Sequence, residues 1–170
     1  MTKNKKNRKP TEALGVDIGG VVIDRINDAT DTSFFGRRYL ETTAVPGAIE
    51  ALARLVAGRF GSRVHFVSKC GPNTERKTRE WLAHHDVFGR TGIAAANLHF
   101  CRRRHEKAPI AEALRLSHFI DDRMTVLVHL ETVENRLLFQ ATGTEAALHA
   151  RYRADVVRVE SWQEVLEAIL

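Results

Sequence analysis

Asp17 closes an apolar run, Ala13-Leu14-Gly15-Val16, and is followed at once by Ile18-Gly19-Gly20-Val21-Val22. A carboxylate at the mouth of a buried strand that opens into a glycine turn stands where a nucleophile or a metal ligand belongs. Other polar residues stand in comparable places. Ser68 follows Val64 to Val67, the pair Asp121-Asp122 follows His118-Phe119-Ile120, and Lys107 precedes Ala108-Pro109 at the start of a helical stretch. In parallel α/β sheets ligands bind beyond the carboxyl ends of the strands, so three polar strand ends converging on one site say more than any single motif.

The elements that must position these residues follow from hydrophobic period. Apolar runs of four to six residues alternate with stretches of helical period, which predicts a three-layer, Rossmann-like α/β fold with a mostly parallel sheet between helices. Strands are expected at Leu14 to Ile18, Val64 to Val67, Asn97 to Cys101, His118 to Ile120, Leu137 to Phe139 and Val156 to Val159. Helices are expected at Gly47 to Ala57, Pro72 to His85, Pro109 to Leu116, Thr125 to Leu130 and Thr144 to Tyr152. A last one begins at Ser161, where Ser161 and Glu164 form a capping box. Asp24 to Thr43 reads as irregular chain, enough for a flap but not for a lid domain. The stretch between Ser68 and Lys107 is already filled by a helix, a loop and a strand. Residues 13–170 are therefore expected to form one domain without a large cap, after a basic, disordered tail at 1–12.

Taken in order, Asp17-Ile18-Gly19, Ser68, Lys107 and Asp121-Asp122 resemble the four motifs of the haloacid-dehalogenase-like (HAD-like) superfamily, whose members are mostly magnesium-dependent phosphatases. The resemblance covers roughly Leu14 to Leu170. It implies that Asp17 attacks phosphorus and ligates Mg²⁺, that Gly19 supplies a backbone carbonyl to the metal, and that Asp121 supplies a second carboxylate, with Asp122 the reserve choice. Two carboxylates and a carbonyl suit Mg²⁺, which takes oxygen ligands and keeps several waters. Ser68 and Lys107 suit the roles of holding and neutralising a transferring phosphoryl group. Read singly, Ser68 could equally cap the helix near Pro72, and Lys107 could be a solvated residue. In the resembled phosphatases a second aspartate stands two positions after the nucleophile, to protonate the leaving oxygen and then activate water; here that position is Gly19. Asp24, on the following segment, is the acid that could turn inward instead. Gly19 is also a candidate for positive φ, a conformation that would resist a side chain. The resemblance thus implies a Mg²⁺-dependent phosphohydrolase or phosphoryl-transfer protein weakened in acid/base catalysis. The alternative is a catalytically silent relative that binds a phosphorylated ligand, nucleic acid or a protein. Capless members of the superfamily tend to act on large substrates.

Basic residues crowd the same motifs. Arg102-Arg103-Arg104 lies between a predicted strand and Lys107, and Lys69 and Arg123 each adjoin a motif residue. Together with Gly20 in the turn they are the candidates for phosphate or substrate contact, since guanidinium forks match phosphate oxygens. No aromatic residue is interleaved with the arginines, which argues against a single-strand stacking platform. Cys101 and His105 have zinc-compatible spacing but no completing pair. The glycines around Asp17 are not a dinucleotide fingerprint, because the aspartate would repel a pyrophosphate unless a cation intervened. Trp81 and Trp162 read as helix residues packed partly against the core.

Composition bounds the rest. A chain of 170 residues is long enough to bury about 70% of the surface exposed on unfolding. Lys3, Lys5, Lys6, Arg8 and Lys9 stand without any acid among the first ten residues and account for the whole net charge of +5. Basicity is thus a property of the tail, a possible contact for nucleic acid, and not of the domain. Cys70 and Cys101 are too few for a disulfide framework. With no apolar stretch near 18 residues and no secretory signal, a cytoplasmic protein without membrane contact is expected.

Overall fold

The computed structural model describes residues 11–25, 36–152 and 155–170; most of the basic tail therefore lies outside the described residues. Six parallel strands form one sheet in the order β3-β2-β1-β4-β5-β6. They are β1 (Leu14–Val16), β2 (Val64–Lys69), β3 (Leu98–Cys101), β4 (His118–Asp121), β5 (Asn135–Phe139) and β6 (Val156–Val159). All six lie where the apolar runs predict, with ends shifted by at most two residues. The order reverses direction between β1 and β4, the switch point at which a doubly wound sheet leaves a crevice beyond its carboxyl ends.

Helices cover both faces. On one, α1 (Ala48–Leu55), α2 (Pro72–His84), α3 (Val87–Thr91) and α7 (Trp162–Ile169) pack against Leu14, Val16, Phe66, Ile120 and Phe139. On the other, α4 (Lys107–Ala113), α5 (Met124–Leu127) and α6 (Gly143–Tyr152) pack against Val67, Phe119 and Leu138. This is the three-layer α/β architecture, and it follows from side chains alternating along each strand while both faces need apolar cover. Gly15 is required on the second face: a Cβ there would stand 2.5 Å from the Phe119 ring.

Some local features depart from expectation. Helix α1 runs on into a π-helical turn, Val56–Phe60. Helix α4 starts two residues early, at Lys107, so that Pro109 falls within the first turn, where its missing N–H breaks no helical bond. Helix α3 has no counterpart among the expected helices. Ser161 caps α7 by accepting from the Glu164 N–H at 3.2 Å, while the Glu164 carboxylate accepts from Glu160 N–H, one residue before the cap. Both tryptophans are wholly buried, not partly packed. Each indole N–H donates at 2.8 Å to a carbonyl, that of Thr42 for Trp81 and that of Val21 for Trp162, so neither carries an orphaned donor into the core.

The segment expected as a flap is anchored at its base. Ile23 bridges Ala44 in antiparallel fashion, and Val45 N–H donates to Val22 O at 2.8 Å. The stretch 26–35 lies outside the described residues. No helix among the described residues is long and apolar enough to cross a membrane.

Candidate active site

Strand register alone brings two of the carboxylates together. Val16 pairs with Ile120 across β1 and β4, so Asp17 and Asp121, each the next residue, stand side by side on adjoining strands. Asp17 N–H donates to Ile120 O at 2.9 Å. Alternation decides which way they face. Val16 and Ile120 belong to the face carrying α1 and α7, so Asp17 and Asp121 project to the other face, beneath α4. On α4, Lys107 stands one turn before the buried Ala111 and on the same side of the helix. Lys107 Nζ therefore meets both carboxylates, at 2.8 Å from Asp17 Oδ1 and 2.7 Å from Asp121 Oδ2, with its ammonium 5.7 Å from the centroid of the Phe119 ring.

Lys107 is 2% exposed and Asp121 0% exposed, so this is an interior ion pair and not a solvated contact. Burial alone would strip the charge from Lys107; Asp121 and Asp17 outweigh it and hold the ammonium pKa above the ordinary lysine value. Burial pushes the Asp121 carboxyl upward, Lys107 opposes this, and the neighbouring Asp17 and Asp122 charges add to it. Burial and the Asp17 charge likewise push Asp122 up to about 6, against Arg25 and Arg123. Burial is thus the main reason these carboxyls rise, and the crowding of three acids adds to it.

The turn after β4 completes the cluster. Asp121 Oδ1 accepts from Arg123 N–H at 2.9 Å. The buried Glu145, from α6, accepts from Met124 N–H at 2.7 Å and from Arg123 Nη1 at 3.3 Å, which fixes the turn. Asp122 meets the half-exposed Arg25 through Oδ2, 2.5 Å from its Nη2. Its Oδ1 is buried and accepts no hydrogen bond among the described residues, Arg123 Nε being 3.9 Å away. Ligand atoms of Asp17, Asp121 and Asp122 all lie within 4.8 Å of one another. Three hard oxygen donors, one with an orphaned buried oxygen, fit a small divalent cation.

These residues form the wall of a cleft of about 280 Å³ at the switch point. Of the residues singled out in the sequence, Asp17, Gly19, Gly20, Ser68, Lys69, Arg104, Lys107, Asp121, Asp122 and Arg123 line it; Arg102 and Arg103 do not. Arg102 instead pairs with Glu75 at 2.7 Å and donates to Cys70 O at 2.8 Å, tying the segment after β3 to α2. Ser68 does not cap α2, whose N-cap is Gly71. Cys70 and Cys101 are free and buried, and burial raises the Cys70 thiol to about 11.

The two glycines divide the turn's needs differently from expectation. It is Gly20 that has positive φ, 81°, while Gly19 has no such conformation and no atom within 4 Å of where its Cβ would stand. The sequence analysis did not single out Arg25, Thr74, Thr78 or Glu145. A basic residue eight positions after Asp17 carries no signal that it folds back onto Asp122.

No protein-family model matches the chain, and no curated protein matches it. Among solved structures it is similar to the HAD domain of the effector protein Lem4 from Legionella pneumophila, at 12% identity over 94% of each chain with a TM-score of 0.48. A likeness at that identity and score says nothing of what this chain binds or does.

Proposed function

We propose that this protein is a HAD-like, Mg²⁺-dependent phosphohydrolase or phosphoryl-transfer protein in which Asp17 is the nucleophile. The observation that carries the reading is the convergence of Asp17, Asp121 and Asp122 within 4.8 Å, with buried Lys107 bridging the first two. Asp17, Asp121, Asp122 and the Gly19 carbonyl would hold the cation, which when bound supplies positive charge against the phosphoryl oxygens.

The chain's own groups do the rest. Lys107 holds Asp17 in place through its 2.8 Å contact, so that a carboxylate oxygen attacks phosphorus as the bond to the leaving oxygen breaks, giving an aspartyl phosphate. Ser68, Lys69 and Arg104 line the cleft and would share the charge of the phosphoryl oxygens. Water then cleaves the acyl phosphate, restoring Asp17 and releasing phosphate. Both steps lack a placed proton donor and acceptor at Gly19. Asp24, half-buried, lines the same cleft and is, after Asp17 itself, the acid nearest in sequence to the empty place. Activity should therefore favour aryl and acyl phosphates, whose leaving groups depart without a proton.

The open space at Gly19 favours a second reading, in which the site binds a phosphorylated ligand without turnover. The test is hydrolysis of an aryl or acyl phosphate with Mg²⁺, in the parent and in Asp17→Asn. Turnover abolished by Asp17→Asn supports the nucleophile, and equal turnover in both removes it. Phosphate binding without any turnover would leave the silent reading standing.

A further inference from the structure

Arg25 reaches two of the groups that the cation would use. Its Nη2 lies 2.5 Å from Asp122 Oδ2 and 3.5 Å from the Gly19 carbonyl oxygen, both at the mouth of the cleft. Gly20 makes that approach possible. A Cβ on Gly20 would stand 2.5 Å from Arg25 Nε and 2.7 Å from Asp122 Oδ2, so the missing side chain is the slot through which the guanidinium reaches the acid. Lys107 and Arg25 are held differently. Lys107 is sealed in between Asp17 and Asp121, whereas the Arg25 side chain is 50% exposed and reaches in from the rim.

We infer that Arg25 is an internal counter-cation of this site, competing with a divalent metal for Asp122 and the Gly19 carbonyl. The inference rests on reading the three-aspartate cluster as a cation site. A guanidinium and a metal cannot share the same lone pairs, and their charges repel. A metal taken by those oxygens displaces Arg25, and one taken by the orphaned Asp122 Oδ1 is still repelled by it, so Arg25 weakens the metal in either case. Once detached, its guanidinium stands at the cleft mouth with its donors unused, in position to take an anionic oxygen of the substrate. Arg25 is then the group that makes cation loading depend on an anionic ligand: phosphate offers the displaced arginine a new partner and so lowers the free-energy cost of letting metal in.

The experiment is titration of the full chain with Mn²⁺, read by the electron-spin-resonance signal of the free ion and by calorimetry with Mg²⁺, in the parent, Arg25→Gln and Arg25→Ala. Each protein is titrated with and without inorganic phosphate. Arg25 is half-exposed, so both variants should stay folded, which thermal unfolding checks. Removing the competing cation should tighten metal binding by roughly tenfold or more, the scale of a charge-assisted hydrogen bond to a buried carboxylate. Phosphate should tighten metal binding more in the parent than in the variants. Metal affinity that is measurable but equal or weaker in both variants overturns the inference and leaves the metal site standing. If neither the parent nor either variant binds metal, both the inference and the metal-site reading fall. Binding that appears only in the variants supports both.

Discussion

Two polar clusters sit on the same face of one sheet and resolve the cost of burial in opposite ways. At the carboxyl ends of β1 and β4, the buried ammonium of Lys107 is kept charged by the two carboxylates it touches, Asp17 and Asp121. Toward the β3 edge, His65 and His99 meet through Nδ1 and Nε2 at 3.2 Å with no acid between them. Burial, the neighbouring His99 and Arg63 push His65 down to about 4, and burial lowers His99 as well. Lys107, with two carboxylates in reach, keeps its charge despite burial, whereas the partly buried histidines, with none, are pushed toward the neutral form. Charge persists where a counter-ion was built in.

The largest test of this contrast removes the shared ammonium. Lys107→Met leaves Asp17 and Asp121 facing each other unbalanced, and should cost about 3–5 kcal/mol of stability, the scale for breaking a buried ion pair from one side. Urea unfolding measures it, and adding Asp121→Asn to the same chain should return part of the loss. A Lys107→Met protein as stable as the parent would mean that the carboxylates do not depend on that pairing.

Next in size is the group that the acidic cluster lacks. Gly19→Asp enters open space without positive φ, and should raise turnover of alkyl phosphates by about 10²-fold or more, the worth of a placed acid/base. Gly20→Asp is the control, because φ of 81° and the 2.5 Å approach to Arg25 Nε make any side chain there strained. A folded Gly19→Asp chain that binds Mg²⁺ but gains nothing on any ester would favour the ligand-binding reading over a phosphatase short of one group.

The smallest effect belongs to the histidines. Below its ordinary value of 6.5 His65 takes a proton in the unfolded chain, while the folded chain resists until about 4. Its contribution to stability is therefore fully present above 6.5 and is lost as pH falls from there through about 4. Thermal unfolding across that range should show a shallower decline in His65→Phe than in the parent. Identical slopes would show that the pair carries no such linkage.

The strands were legible because burial on both faces leaves short, nearly unbroken apolar runs, and such runs need no partner to be recognised. Asp17, Ser68 and Asp121 were legible for the same reason, each being the polar residue that ends a run. Lys107 was legible only as a candidate, since its sequence neighbours would suit a solvated residue equally well. The start of α4 at Lys107 and the parity of β1 and β4 are what bury it. Arg102 shows the reverse: beside the motif in sequence it reads as a candidate phosphate contact, yet Glu75 on α2 takes its guanidinium.

The sequence by itself determined which residues are apolar in which period, hence a parallel sheet between two helical layers with acids at the ends of β1 and β4. Only the tertiary structure decided that Glu145 braces the turn after Asp122, that Gly20 and not Gly19 takes the left-handed backbone, and that Arg25 folds back onto Asp122. Periodicity is a property of neighbours along the chain. These contacts are short-range forces between groups that meet only once the sheet has set its order and register, and no local pattern encodes them.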